Sequence, residues 1–286
     1  MPLIKAKIRV GHSPDPDDAF MFYAIAHEKI KTDGITFTHV IEDIESLNRR
    51  AFKAELEVTA VSAFAFFQVA DKYALMPCGA SVGDNYGPKL VSKNSVYPKE
   101  LTGKKIAVPG LNTTAYLVLR LFLPTFKLLV APFDEILSLV EKGEADAGLV
   151  IHEGQLTYEK LGFKKVADLG EWFYESTHLP LPLGVDAVRK NLGRDVMRKV
   201  TKLLKKSIEY GLKNREEATA YALKFGRGID AQTADQFVGM YVNDYTVDIG
   251  RKGKEALLVL QKAATDIGLL KNPAKIAAGF FNLRFF

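Results

Sequence analysis

Short apolar segments alternate with helix-like segments through the middle of the chain, and this order restricts the fold more than any other feature. Strands and helices are predicted in turn at Ile106, 113–122, 128–130, 134–142 and 145–151. Successive strand–helix units favour a mostly parallel sheet with right-handed crossovers. The sequence therefore predicts an α/β fold.

A second group of predicted strands occupies residues 8–81, and the chain from about residue 196 onward has helical periodicity. A polar segment around Pro98 separates the two groups, and Pro180 and Pro182 suit an extended crossover back. A chain that returns to complete its first unit forms two lobes with a cleft between them, which can close by a hinge. We predict a larger, discontinuous lobe from residues 1–95 and 180–286 and a smaller lobe from residues 96–179.

Composition narrows the classes of protein that this chain can belong to. Its 286 residues are 48% hydrophobic, which is enough for about two domains. The N-terminal sequence lacks the features of a signal peptide, and no apolar run is long enough to span a bilayer, so we expect a cytoplasmic protein with no membrane span. The single cysteine, Cys78, excludes an intramolecular disulfide and a cysteine-based zinc site.

The net charge of +5 is modest, and much of the excess lies between Arg194 and Lys213. This segment is predicted to be a helix with one apolar stripe and one basic face. Apart from Tyr210 it has no aromatic residue, and the chain has no known nucleic-acid-binding module. We therefore interpret the basic face as solvated and expect no nucleic-acid partner.

His152 directly follows the predicted strand 145–151 and precedes Gly154. Ligands in open α/β sheets bind at the carboxyl ends of the strands, so an imidazole at this point can exchange protons with a bound molecule. The alternative is a histidine that only fixes the loop by hydrogen bonds. The sequence pattern by itself leaves both interpretations open.

Three predicted helix starts could face the cleft, namely Asp17–Asp18, Ser62 and 112–114. Their exposed N–H groups would favour an anionic ligand, although each can equally be a simple helix cap. The carboxylates of Asp15, Asp17 and Asp18, together with His12, also suggest a metal site. We rank a metal site below helix capping as the explanation of these three carboxylates. The Phe-rich segment 277–286 is predicted to dock against the body of the protein or against a second subunit in a homodimer.

Five separated segments, in the same order, resemble the 1,4-dihydroxy-6-naphthoate synthases of the futalosine route to menaquinone. The segments are Ser-Pro-Asp-Pro-Asp-Asp-Ala-Phe-Met-Phe-Tyr at 13–23, Glu-Asp-Ile-Glu-Ser-Leu-Asn at 42–48, Val-Pro-Gly-Leu-Asn-Thr-Thr-Ala-Tyr at 108–116, Ile-His-Glu-Gly-Gln-Leu-Thr-Tyr at 151–158 and Leu-Pro-Leu-Pro-Leu-Gly at 179–184. The resemblance extends to about Gly268 and does not include the Phe-rich segment.

This resemblance implies a periplasmic-binding-protein-like (type 2) fold, with two mixed sheets flanked by helices and a cleft between them. It implies a carbon–carbon lyase that converts cyclic dehypoxanthinylfutalosine to 1,4-dihydroxy-6-naphthoate and dihydroxyacetone, a small anionic aromatic substrate, and no cofactor or metal. His152 matches the family's proton acceptor. The positions that match its substrate-binding residues are Ala60, Val61, Ser62, Thr113 and Thr114. Some members have lysine where this chain has Ala60, so a contact with the substrate at this position would use the backbone.

Three other functions remain open. A solute-binding protein would share the two lobes but would need an export signal and no titratable group in its cleft. A chorismate dehydratase, the sister enzyme of the same pathway, would share the fold, but the motifs at 13–18 and 152–158 favour the synthase. A small-molecule-sensing regulator would need a DNA-binding module, and none is evident.

Overall fold

Two β-sheets, each covered by helices, form the body of the protein in a computed structural model that describes residues 5–225 and 228–271. The strands of the first sheet are β1 (Ala6–His12), β2 (Ile35–Ile41), β3 (Val58–Ser62), β4 (Tyr73–Leu75), β5 (Ser81–Gly83) and β11 (Leu181–Arg189). Their order is β2–β1–β3–β11–β4, and β5 also pairs with β11. Strands β1, β2 and β3 are parallel, whereas β11 is antiparallel to its neighbours.

The strands of the second sheet are β6 (Lys89–Ser92), β7 (Lys105–Val108), β8 (Lys127–Val130), β9 (Ala147–Val150) and β10 (Lys164–Asp168). Their order is β10–β6–β9–β7–β8. Strands β7, β8 and β9 are parallel, and β6 and β10 add antiparallel pairs. Both sheets are therefore mixed, which confirms the predicted α/β class.

The helices are α1 (Pro16–Ala26), α2 (Ile44–Phe52), α3 (Ala63–Val69), α4 (Thr114–Phe122), α5 (Ile136–Glu141), α6 (Gly154–Thr157), α7 (Leu169–Thr177), α8 (Arg194–Lys213), α9 (Arg215–Ala222), α10 (Ala231–Tyr241), α11 (Asp244–Val247) and α12 (Gly250–Asp266). Short 3-10 turns lie at Pro98–Leu101, Lys190–Leu192 and Leu223–Phe225. Within the described ranges, no helix is long and apolar enough to cross a membrane. The predicted docking segment 277–286 lies outside the described residues.

Helix α1 is buried on all sides, and this burial decides where its acidic residues lie. It begins at Pro16, whose fixed φ suits the first helical position, and it packs against α8 and α9. Every residue from Pro16 to Ile25 is buried, as expected for a helix that is apolar around most of its circumference. Asp17 and Asp18, in the first turn, are therefore held inside the protein.

The chain passes from the first sheet to the second between β5 and β6 and returns between α7 and β11. The return coincides with the proline-marked crossover expected from the sequence. The first passage precedes Lys89, so residues 89–92 belong to the second sheet, although the predicted boundary follows residue 95. The predicted lobes, 1–95 with 180–286 and 96–179, otherwise stay predictions. The short strand β5 is stabilised by pairing with β11.

Candidate functional site

A cleft of about 690 Å³, partly open to solvent, lies between the two sheets. Its walls come from the loops after β1 and β3 and from β11 on one side, and from the loops after β7 and β9 on the other. These loops follow the carboxyl ends of parallel strands, where α/β folds bind their ligands. Five of the predicted site residues line the cleft: Ala60, Ser62, Thr113, Thr114 and His152.

Val61 is the predicted site residue whose side chain does not line the cleft. It is fully buried in the hydrophobic core beside α3. Successive residues of a strand point to opposite faces of the sheet, so Ala60 and Ser62 can face the cleft only if Val61 faces away from it. A contact of Val61 with a ligand would therefore have to use its backbone.

His152 is paired with a carboxylate from the opposite sheet. Its Nδ1 lies 2.7 Å from Asp15 Oδ2, and the edge of its ring meets Phe133 with ring centroids 4.7 Å apart. His152 has a left-handed backbone with φ of 57°, which turns the chain sharply where β9 ends and α6 has not begun. A base oriented by an adjacent carboxylate is the arrangement used in nucleophilic and acid–base active sites.

Asp15 and Asp18 are joined through Ser13. The Ser13 hydroxyl donates to Asp15 Oδ2 at 2.6 Å, and its backbone N–H donates to Asp18 Oδ2 at 2.6 Å. The predicted capping by Asp17 or Asp18 is wrong in position: the residue that precedes α1 is Asp15, and its side chain makes no cap hydrogen bond. These carboxylates bind the preceding loop and His152 instead of the helix end.

The structure also bears on the metal hypothesis. Within the described ranges, no three or more His, Cys, Asp or Glu side chains are grouped as a metal site would require. His12 donates from Nδ1 to the Ser13 carbonyl and contacts His39 Nδ1 through Nε2 at 3.0 Å. Burial lowers the pKa of His12 to about 4, and burial with the His12 charge lowers the pKa of His39 to about 4. Both rings are therefore neutral near pH 7 and stabilise the Ser13 loop.

The carboxyl groups of Asp17, Asp18 and Asp186 all have raised pKa values. Burial, together with the charges of Asp18 and Asp15, raises the pKa of Asp17 to about 8. Burial and the charge of Asp15 raise the pKa of Asp18 to about 6, against the opposing hydrogen bonds from Ser13. Asp186 on β11 is fully buried, and burial with the charges of Asp18 and Asp17 raises its pKa well above the usual range. Asp17 and Asp186 can therefore hold protons at neutral pH.

Ser62 offers a hydrogen-bond donor to the cleft. Ser62 donates its N–H to Asn48 Oδ1 at 2.9 Å and accepts from Asn48 Nδ2 at 3.1 Å, which leaves its hydroxyl proton for a ligand. Ser62 precedes α3 but makes no side-chain cap hydrogen bond, so the cap interpretation is wrong for its hydroxyl. Ala115 follows in the first turn of α4 and also lines the cleft.

The hydroxyl groups of the two threonines at the start of α4 form hydrogen bonds within the protein. Thr113 Oγ1 caps α4 by accepting from Tyr116 N at 3.1 Å and donates to the Gly110 carbonyl at 3.0 Å. Thr114 Oγ1 accepts from Phe64 N at 3.2 Å and donates to the Leu183 carbonyl at 2.7 Å. The two bonds of Thr114 tie α4 to α3 and to β11 of the first sheet. An anion at this helix start would meet backbone N–H groups rather than threonine hydroxyls.

Several cleft residues were missed in the sequence. Asp15 was considered only as a cap or metal ligand, and its pairing with His152 joins two distant segments without a local pattern. Tyr241, at the end of α10, donates to Gln155 Oε1 at 2.8 Å and closes the cleft beside Phe237. Asn48 lies in the motif 42–48, so this signal was present but its role as the partner of Ser62 was not recognised.

A family model described as menaquinone biosynthesis matches residues 8–266. The 1,4-dihydroxy-6-naphthoate synthase of Thermus thermophilus is 37% identical over 262 residues, covering 92% of this chain and 95% of the relative. The synthase of the same name from Streptomyces coelicolor is 34% identical over 272 residues, covering 92% and 94%.

Solved structures agree on the fold. A crystal structure of a protein from Archaeoglobus fulgidus is 49% identical, with a TM-score of 0.88 over 92% of this chain and 98% of that chain. An alkanesulfonate-binding protein from Xanthomonas axonopodis pv. citri, bound to MOPS, is 11% identical with a TM-score of 0.74, covering 97% and 99%. A Candida albicans protein with the generic periplasmic binding protein fold is 16% identical with a TM-score of 0.72, covering 96% and 94%. The last two show the fold alone, and they confirm the periplasmic-binding-protein-like architecture.

Proposed function

The chain belongs to the menaquinone biosynthesis family, and on this basis we propose that it is a 1,4-dihydroxy-6-naphthoate synthase in which His152 is the proton acceptor. The reaction is the cleavage of cyclic dehypoxanthinylfutalosine to 1,4-dihydroxy-6-naphthoate and dihydroxyacetone. The observation that supports the role of His152 most strongly is its 2.7 Å contact with Asp15 inside the cleft.

The groups that line the cleft suit the two chemically different parts of this substrate, its carboxylate and its sugar-derived hydroxyl groups. The aromatic carboxylate would be repelled by the charge of Asp15, which pairs with His152, so we place it against Ser62 and the first turn of α4. The sugar-derived hydroxyl groups then lie beside His152 and Asp15. This orientation makes Ser62 and the backbone at Thr113, Thr114 and Ala60 the substrate-binding groups.

Proton removal follows from the way His152 is held. Because Asp15 takes the hydrogen bond from Nδ1–H, the lone pair of the neutral imidazole is on Nε2. His152 takes the proton of a sugar hydroxyl, and the resulting alkoxide collapses to a carbonyl as the adjacent C–C bond breaks. The carboxylate of Asp15 stabilises the imidazolium that forms. A positioned base of this kind contributes about 10²–10⁴-fold to the rate.

The finer features of the sequence interpretation also belong to this proposal. The enzyme acts in the cytoplasm on a small anionic aromatic substrate, in keeping with the biosynthetic activity named for its curated relatives. A homodimer through the segment 277–286 stays a prediction. The sulfonate-binding neighbours share only the fold, and a paired base and carboxylate are not required for binding a solute.

The experiment that tests the function is incubation of the purified protein, without added cofactor, with cyclic dehypoxanthinylfutalosine and separately with chorismate. Mass spectrometry follows the products. Release of 1,4-dihydroxy-6-naphthoate from the first compound alone is the expected result. Dehydration of chorismate would identify the sister enzyme, and tight binding without conversion of either compound would indicate a solute-binding protein.

A further inference from the structure

Asp17 is a cleft residue that the proton acceptor does not account for. Its carboxyl lines the cleft, and Oδ2 accepts a hydrogen bond from the Ser81 hydroxyl at 3.0 Å. No protein group in residues 5–225 and 228–271 donates to its Oδ1. Since Ser81 occupies Oδ2 as a donor, a proton on this carboxyl group sits on Oδ1.

The two neighbouring carboxyl groups have other partners. Asp15 accepts from Ser13 Oγ and contacts His152, whereas Asp18 accepts from the Ser13 backbone N–H. Asp17 is the member of this group that is tied to the protein by a single serine hydroxyl. It is therefore the carboxyl best placed to exchange a proton with a bound molecule.

The cleavage reaction releases a proton from one fragment and takes one up on the other. When His152 removes the hydroxyl proton, the O–H electron pair forms a new carbonyl and the C–C bond breaks. The electron pair of that bond moves onto the carbonyl of the departing three-carbon fragment, which becomes an enediolate. One proton on the enediolate oxygen gives an enediol, which becomes dihydroxyacetone by tautomerisation. The step is redox-neutral and leaves the base protonated and the acid ionised.

Resting on the proposed function, we propose that Asp17 is the catalytic acid that protonates this enediolate, with Ser81 holding its carboxyl in place. The acid and the base then lie on opposite sides of the cleft. Asp17 is in the first turn of α1, which follows β1, and His152 follows β9. Proton exchange with water returns both groups to their starting states. Two titratable groups with opposed roles in one site are typical of acid–base enzymes.

The electrostatic environment agrees with this role. Burial and the charges of Asp18 and Asp15 raise the pKa of Asp17 to about 8, so that the carboxyl carries its proton at neutral pH. The hydrogen bond from Ser81 and the charge of His152 oppose this rise in pKa. A buried acid with a pKa near the working pH is suited to proton donation.

The test is the pH dependence of kcat for the wild-type enzyme and for Asp17→Asn, with Asp71→Asn, an exposed aspartate, as the matched control. Wild-type kcat should fall above about pH 8, as Asp17 loses its proton. The Asp17→Asn variant should lose about 10²–10⁴-fold in kcat, bind 1,4-dihydroxy-6-naphthoate as tightly as wild type, and lack the alkaline decline. The Asp71→Asn control should match wild type.

A second variant keeps the test independent of the first. In Ser81→Ala the opposing hydrogen bond is gone, so the alkaline decline should move to higher pH. A decline that does not move, a kcat of Asp17→Asn near that of wild type, or an equal loss of product affinity and kcat would overturn the role of Asp17. If wild-type protein forms no naphthoate, the synthase function fails as well, whereas normal wild-type turnover with an unaffected Asp17→Asn variant overturns only the acid.

Discussion

The carboxylate of Asp15, just before α1, lies 2.7 Å from Nδ1 of His152, just after β9. The two residues belong to different sheets, so the pair exists only when the two sides of the cleft are together. The same is true of Thr114, whose hydroxyl donates to the Leu183 carbonyl. The contact between Asp15 and His152 therefore joins the two sides of the cleft.

Replacement of Asp15 by Asn should disable the base without disturbing substrate binding. The amide can occupy the same volume but cannot stabilise the imidazolium, so we expect kcat to fall by about 10²–10⁴-fold with KM nearly unchanged. Steady-state kinetics over a range of pH measure this. A variant with wild-type kcat would show that His152 does not depend on Asp15.

Replacement of Ser62 by Ala should weaken binding of the substrate carboxylate. Loss of one hydrogen bond to a charged group corresponds to about 10–100-fold in affinity. Calorimetry should show this loss for 1,4-dihydroxy-6-naphthoate and little change for 1,4-dihydroxynaphthalene, which lacks the carboxylate. Equal losses for the two ligands would remove Ser62 from the carboxylate site.

The buried carboxyl of Asp186 should make the protein less stable as the pH rises. Its pKa is raised in the folded protein by burial and by Asp18 and Asp17, so the folded state retains a proton that the unfolded chain loses above its ordinary pKa. The stabilisation is complete below the unfolded pKa and is lost as the pH rises toward the folded pKa. The slope is about 1.4 kcal/mol per pH unit for one such group.

The Asp186→Asn variant tests this reasoning. Both oxygens of Asp186 lack a hydrogen-bond partner within the described residues, so the amide replaces a neutral carboxyl of the same shape. Urea denaturation should give nearly equal free energies of unfolding for variant and wild type near pH 4 and a more stable variant near pH 8, the pH at which Asp17 also titrates. A difference that does not grow with pH would mean that Asp186 is not protonated in the folded protein.

The overall fold could be predicted because its signals are local. Alternating apolar and helical segments indicate the α/β class, and Pro180 and Pro182 lie where the chain returns to the first sheet. Strand β5, with three residues, and β6, with four, were not recognised, since strands this short carry no periodicity and depend on pairing with distant partners. The predicted lobe boundary after residue 95 stays a prediction.

The site could be predicted only in part. His152, Ser62 and Thr114 were placed by their positions at strand ends and helix starts, and these positions bring them to one cleft. The partners of these residues, Asp15 and Asn48, are set by packing between distant segments, which a single sequence does not reveal. Asp17 and Asp18 were interpreted as caps because acidic residues are common at helix starts. Their burial, which raises their pKa values, depends on the tertiary packing of α1.

We propose His152 as the proton acceptor of a naphthoate synthase, and a single-turnover assay of the His152→Ala variant tests this role. The folded variant is mixed in excess with cyclic dehypoxanthinylfutalosine, and dihydroxynaphthoate is quantified by mass spectrometry, with product affinity measured in parallel. We predict unchanged product binding and a rate lower by about 10²–10⁴-fold. A rate near that of wild type would contradict the assignment of His152.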